Sequence, residues 1–268
     1  MSDDFVTRND WQALRAATPA RLALGRAGAG MPTDEVLHFG WAHAMARDAI
    51  HATLDADALA TQLREQGWGV EYAHSQAADR ATYLLRPDLG RQLDVNDAQR
   101  LRALRGSVAE PVDVCFVIGD GLSSLAAERH AVPLLAALRP KLPAAIRFAP
   151  LVIARQARVA LADEIAEAFE ARLVVMMIGE RPGLSSPDGL GIYMTYEPRR
   201  GRSDGERNCI SNVRPTGLAY GDAAGRLAWL IREAFRRRIS GVALKDESDV
   251  VALGSARTSV AAQPTRQA

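Results

Sequence analysis

The sequence predicts an α/β protein with a Rossmann-like, mainly parallel sheet flanked by helices, preceded by a smaller, mostly helical N-terminal domain. Two observations carry this expectation. Beyond residue 110, short apolar runs at 112–118, 148–153, 173–178 and 192–196 alternate with helical patterns, the arrangement that βαβ crossovers produce. These runs are apolar almost throughout, as strands covered on both faces must be. The division that follows is a flexible segment over 1–17, a mostly helical domain over 18–110, an α/β domain over 111–245 and a disordered tail over 246–268, where apolar residues become sparse.

Taken in order, residues 1–17 are polar, with Phe5, Trp11 and Leu14 as a short apolar trace. The glycine-rich stretch 25–32 lacks the G-x-G-x-x-G spacing of a dinucleotide site and reads as a loop against another surface. Thr33 is an N-cap candidate for a helix to about residue 53, with Asp34 and Glu35 in its first turn. On that helix Val36, Phe39, Ala42, Ala46 and Ala49 recur at helical spacing, so a second helix is expected to pack closely there. A further helix is expected over 55–66. The arginine-rich segment 80–91, with Pro87 and Gly90, suits an ordered turn that contacts an anion or a carboxylate.

The run 112–118 is a strand, and Gly119-Asp-Gly-Leu-Ser-Ser124 turns it into a helix with serine as cap. Backbone amides at such a start can receive an anion, a role that Asp120 opposes. A strand over 148–153, an amphipathic helix through Phe169, a strand over 173–178 and a strand over 192–196 follow. A long helix over 223–239 closes the domain, its last turn carrying Arg236, Arg237 and Arg238 near the negative helix end. The strand over 173–178 empties into Gly179-Glu-Arg-Pro-Gly183. Ligands of open α/β sheets sit beyond the carboxyl ends of the strands, so this loop marks a binding edge.

Thirty-three Lys and Arg residues nearly balance 32 Asp and Glu residues, which leaves no net field to hold nucleic acid or an acidic membrane surface. No apolar run is long enough to span a bilayer, and the N-terminus lacks a basic region followed by an apolar one. The two cysteines, Cys115 in an apolar run and Cys209 in a polar one, make no disulfide framework, and a reducing, cytoplasmic compartment is expected. Histidines 38, 43 and 51 fit no zinc spacing. Ser123 lacks the strained G-x-S-x-G elbow, and Cys209, although set among Arg207 and Arg214, has no histidine near it in sequence. The expectation is therefore that this chain supplies no catalytic group and holds no metal of its own.

Several segments together resemble the small subunit, or light chain, of ethanolamine ammonia-lyase. They are Thr18-Pro-Ala-Arg21 with Gly25-Arg-Ala-Gly28, Arg86-Pro-Asp-Leu-Gly-Arg91, Gly119-Asp-Gly-Leu122, Arg158-Val-Ala160, Ile178-Gly-Glu-Arg-Pro-Gly-Leu184 and Asn208-Cys-Ile-Ser-Asn212, in the family's order from about 18 to 245. The resemblance implies a heteromeric, adenosylcobalamin-dependent lyase that converts ethanolamine to acetaldehyde and ammonia. The large subunit, a TIM barrel, binds ethanolamine and hosts the radical chemistry, and the small subunit closes over the cobalamin. Assembly of six large and six small subunits is a further implication.

Cobalamin contacts carry over to three motif positions, Val159, Glu180 and Cys209. The D-x-H-x-x-G signature of proteins that replace cobalamin's own base is absent, because 34–40 has the wrong spacing, so the cofactor is expected base-on. Relatives housed in bacterial microcompartments carry an amphipathic leader, which residues 1–17 match weakly, leaving encapsulation open. Two other readings compete: a stand-alone α/β enzyme using Cys209 or Glu180, and a non-enzymatic α/β interaction or cofactor-binding protein.

Overall fold

A computed structural model describes residues 5–106 and 110–248. Six strands make one mixed sheet in the order β3-β5-β4-β6-β7-β8: β3 Val70–His74, β4 Val114–Gly119, β5 Leu151–Arg155, β6 Leu173–Gly179, β7 Leu190–Tyr196 and β8 Asn208–Val213. The first four positions run parallel, and β7 is antiparallel to both of its neighbours. This corrects the expectation of a crossover into the strand at 192–196. Only ten residues, 180–189, separate β6 from β7, too few for a crossover and sufficient for a hairpin.

Alternation along the strands explains how both faces are filled. Val114, Phe116 and Ile118 of β4 join Val175 and Met177 of β6 and Ile192 and Met194 of β7 in one cluster, packed under helices α2 Ala56–Glu65, α5 Ser124–Leu138 and α7 Tyr220–Arg237. Cys115 and Val117 join Val174, Met176 and Ile178 in the opposite cluster, under α4 Val95–Gly106 and α6 Leu161–Ala168. β4 lies where the order reverses: the chain leaves it through α5 toward β5, then returns through α6 to β6 on its other side. In open sheets such a reversal is where a ligand crevice is expected at the carboxyl ends of the strands.

The segment expected to be helical contributes the edge strand β3, which its pattern Val-Glu-Tyr-Ala-His disguised because only Ala73 is buried. Its outer backbone is not left bare. Asp97 of α4 accepts a hydrogen bond from His74 N at 2.8 Å, and the Arg100 guanidinium donates to the Tyr72 carbonyl. Ahead of it, β1 Val6–Thr7 pairs with β2 Arg26–Ala27, a 3-10 helix spans Asp10–Ala16, and α1 runs Thr33–His51. Pro32, not Thr33, occupies the α1 N-cap. The face expected to receive a second helix is covered only toward its end: Ala49 is buried and Ala42 and Ala46 are half-buried, whereas Val36 and Phe39, with the neighbouring Leu37 and Trp41, are exposed, Trp41 at 70%. Of the expected tail, 249–268 lies outside the described residues.

The ends of β4 and β6 meet backbone to backbone. A Cβ on Gly179 would lie 1.9 Å from the Ser123 carbonyl oxygen, and one on Gly121, whose φ is +57°, would lie 2.2 Å from the Gly179 oxygen. Leu122 N donates to that same Gly179 oxygen at 3.0 Å. No side chain can retreat from a clash with main chain on both sides, so Gly179→Ala is expected to cost roughly 3 kcal/mol or more. Thermal unfolding of the variant checks this, with a fall in Tm of roughly 6 °C or more expected for a domain of this size.

Candidate functional site

At the carboxyl edge, Asp120 follows β4 and is 4% exposed. Its two carboxylate oxygens accept from Gln156 N at 2.8 Å and Ala157 N at 2.9 Å, latching the end of β4 to the turn that follows β5. Burial pushes the Asp120 carboxyl up, against the pull of those two amides. The α5 start is consumed as well: Ser123 Oγ donates to the Pro187 carbonyl at 3.0 Å. The turn at 119–124 is thus filled by the protein's own groups and not shaped for an anion.

The arginine-rich segment resolves into α3 Arg80–Leu85 and a 3-10 turn Leu89–Arg91, and two of its arginines are engaged by the chain itself. Arg80 donates to the carbonyls of Ile50 and Gly121 at 2.8 Å each, and Arg86 pairs with Asp88 at 2.6 Å. The segment supports the turn before α6. Arg158 N donates to Gly90 O at 2.8 Å, Tyr83 OH donates to Ala157 O at 3.0 Å, and the Arg158 guanidinium lies 4.3 Å over the Tyr83 ring. Gly90 is required there, because its Cβ would come within 2.9 Å of Arg158 Cγ and 3.0 Å of the Tyr83 ring. Val159, next in the chain, packs at the border of the cluster beneath α6.

Glu180 follows β6 directly, and its side chain lies back over β7. Ideal Cβ positions at Gly189 and Gly191 fall 2.8 Å from Glu180 Oε2 and 3.1 Å from Glu180 Cγ, so these two glycines make its seat. Both carboxylate oxygens accept from the amide of Asn212 at 3.2 Å. One shared donor leaves most of the acceptor capacity of a carboxylate unused. The far end of the loop is fixed separately: Asp188 meets Arg129 at 3.0 Å and the buried His130, which in turn bonds the Tyr220 hydroxyl at 2.8 Å.

Cys209, expected on a loop, sits within β8 opposite Tyr193 of β7, which is opposite Met176 of β6. Met176 belongs to the α6-side cluster, so Tyr193 and Cys209 face that side, as do Val159 and Gly191 under the Glu180 side chain. The register therefore brings the Glu180 seat and Cys209 to one face, and Val159, at the turn before α6, lies on the same side of the sheet. Helix α6 does not reach across it: Cys209 and Ser211 are exposed and Tyr193 is half-buried. Cys209 Sγ lies 3.3 Å from Ser211 Oγ, and the residue across the strand pair is Tyr193, whose phenol is pushed up by burial and by the neighbouring Cys209 and Glu180. At the strand start, Arg207 makes a bidentate pair with Asp163 of α6 at 2.8 and 2.6 Å, with Thr195 Oγ1 at 3.0 Å, all buried.

The result is an open shelf with a carboxylate at one end, a thiol and two hydroxyls along β7 and β8, and an aliphatic residue at the neighbouring turn. These groups fit the rim of a corrinoid, whose amide arms and ribose tail need acceptors and small polar donors. The sequence reading missed Tyr193, Ser211 and the Asn212 amide. A tyrosine within a run that is otherwise buried was the available signal, because a phenol there requires a partner.

The chain matches the family model for the ethanolamine ammonia-lyase light chain over residues 8–245. It is 53% identical over 253 residues to the ethanolamine ammonia-lyase small subunit of Ralstonia nicotianae, covering 94% of each chain. It is 54% identical over 252 residues to that of Azotobacter vinelandii, covering 94% of this chain and 93% of the relative, and 51% identical over 251 residues to that of Pseudomonas aeruginosa, covering 93% and 92%. With this similarity running through nearly the whole chain, the protein belongs to the ethanolamine ammonia-lyase light chain family.

Proposed function

We propose that this chain is the small subunit of an adenosylcobalamin-dependent ethanolamine ammonia-lyase, which converts ethanolamine to acetaldehyde and ammonia, and that it covers the cobalamin through Val159, Glu180 and Cys209. The observation that carries this reading is that the Glu180 seat and Cys209 share the uncovered face of β7 and β8, with Val159 on the same side of the sheet at the turn before α6. When bound, adenosylcobalamin supplies the radical chemistry, and the polypeptide supplies position and shielding. Glu180 accepts hydrogen bonds from N–H or O–H groups at the rim, Cys209 and Ser211 line the shelf, and Val159 gives apolar contact beside it. A shelf without an opposite wall needs a second chain to exclude water, which supports a large subunit as partner. The exposed Leu37, Phe39 and Trp41 of α1 support the same conclusion, since such side chains are typical of surfaces covered in an assembly.

The parallel half of the sheet, with its reversal at β4, supports the Rossmann-like reading. The base-on state is supported by where the histidines lie: none of the five is on the turn 155–160, the loop 180–189 or β8. Two free thiols, Cys115 buried and Cys209 exposed, fit a reducing compartment. A stand-alone role for Cys209 lacks a general base, because among the described residues its thiol is partnered by the Ser211 hydroxyl.

Ethanolamine-dependent acetaldehyde release, assayed with added adenosylcobalamin, is expected only after co-expression with the cognate large subunit; turnover by this chain alone would sink the proposal. In the co-expressed complex, Glu180→Ala is expected to weaken cobalamin binding by about tenfold, the value of one charge-assisted hydrogen bond, while leaving subunit association intact. Electron paramagnetic resonance of the cobalt(II) state should show nitrogen splitting that isotopically labelled histidine does not alter. A change on labelling would mean a histidine ligand and overturn the base-on expectation.

A further inference from the structure

We infer that Tyr193 is a cofactor-positioning residue, one that joins the Glu180 carboxylate and the Cys209 thiol into a single polar strip, and that Gly191 is the gap that lets Glu180 reach it. This rests on the cobalamin reading above. The strand register places Tyr193 between the other two: it is the direct cross-strand partner of Cys209, and it stands two residues along β7 from Gly191. A Cβ added at Gly191 would lie 3.1 Å from Glu180 Cγ, 3.1 Å from Glu180 Oε1 and 3.1 Å from Tyr193 Cε2. The two side chains thus approach one another across a space that only glycine leaves free.

The two ends of Tyr193 serve different purposes. Its ring packs against the α6-side cluster and fills the place of any aromatic residue. Its hydroxyl has no role in that packing; the residue is half-buried and stands directly across the strand pair from the exposed Cys209. A phenol is protonated across the neutral range, and burial with the neighbouring Cys209 and Glu180 pushes this one further up, so it is available as a donor to a thiol or carboxylate beside it. The group opposite it on β8 is the exposed Cys209 thiol, which lies 3.3 Å from the Ser211 hydroxyl. Removing the phenol oxygen leaves the ring, the sheet and the shelf in place and frees the thiol.

Two readouts on the co-expressed complex test this. The first is equilibrium binding of cyanocobalamin, which needs no turnover; the second is the alkylation rate of Cys209 by iodoacetamide, read by peptide mass. Tyr193→Phe is expected to weaken cyanocobalamin binding by about fivefold, the value of one ordinary hydrogen bond, and to speed Cys209 alkylation in the cofactor-free complex. Gly191→Ala, which drives Glu180 and Tyr193 apart, is expected to weaken binding at least as much, without the change in alkylation that loss of the hydroxyl causes. Wild-type affinity and wild-type alkylation in Tyr193→Phe, beside a Glu180→Gln complex that binds poorly, would overturn the positioning role and leave the cobalamin reading standing. Failure of cyanocobalamin to protect Cys209 in the wild-type complex, together with full affinity in Glu180→Gln, would overturn both.

Discussion

The main-chain contact between Gly179 and the turn 120–123 is the constraint on which the rest of the site depends. Two adjacent strands, β4 and β6, end with nothing but backbone between them. Because no side chain intervenes, the first residue able to carry chemistry after β6 is Glu180, and it emerges directly at the sheet edge. The same closeness forces the 119–123 turn inward, so that Asp120 reaches sideways and takes the amides of Gln156 and Ala157. Strand ends that in other open sheets leave a crevice for phosphate are here closed with the protein's own carboxylate, and the usable surface moves one strand outward to β7 and β8.

That outward surface is held by interactions that fix position more than they add stability. The buried Arg207 and Asp163 pair links the start of β8 to α6. Against a pair of well-packed apolar residues such an ion pair has little net advantage, yet removing either partner strands a charge and costs roughly 3–5 kcal/mol. It therefore acts on register: β8, and with it Cys209, cannot slide relative to the helix whose preceding turn carries Val159. Glu180 is held through Asn212 of the same strand. All three positions thus refer to one rigid frame, and little ordering is left for a ligand to impose.

The legible parts of the chain were those with one dominant signal. β4, β5, β6 and β7 are buried on both faces and announce themselves as apolar runs, and α2 and α7 show their stripes. β8 was hidden because only Ile210 and Val213 face the core, so Asn-Cys-Ile-Ser-Asn-Val has the composition of a loop. The arginines of 80–91 looked like an anion site because sequence does not reveal that carbonyls of Ile50 and Gly121 would claim Arg80. α1 misled for a related reason: helical spacing identifies a face but not what covers it, and among the described residues Val36 and Phe39 stay exposed. Glu180 was legible as a strand-end residue, whereas the seat made by Gly189 and Gly191 needed the hairpin register before it could be seen.

The capping of β3 by Asp97 and Arg100 has a consequence for many copies of this protein held side by side. An open edge strand invites pairing with its equivalent in the next copy, and a crowded array of identical chains raises the local concentration that such pairing requires. With the His74 amide and the Tyr72 carbonyl already engaged by α4, this edge offers a neighbour little to zip onto. Growth of the sheet into a ribbon is blocked there, and association is left to side-chain surfaces, where a specific partner can be told from another copy of the same chain.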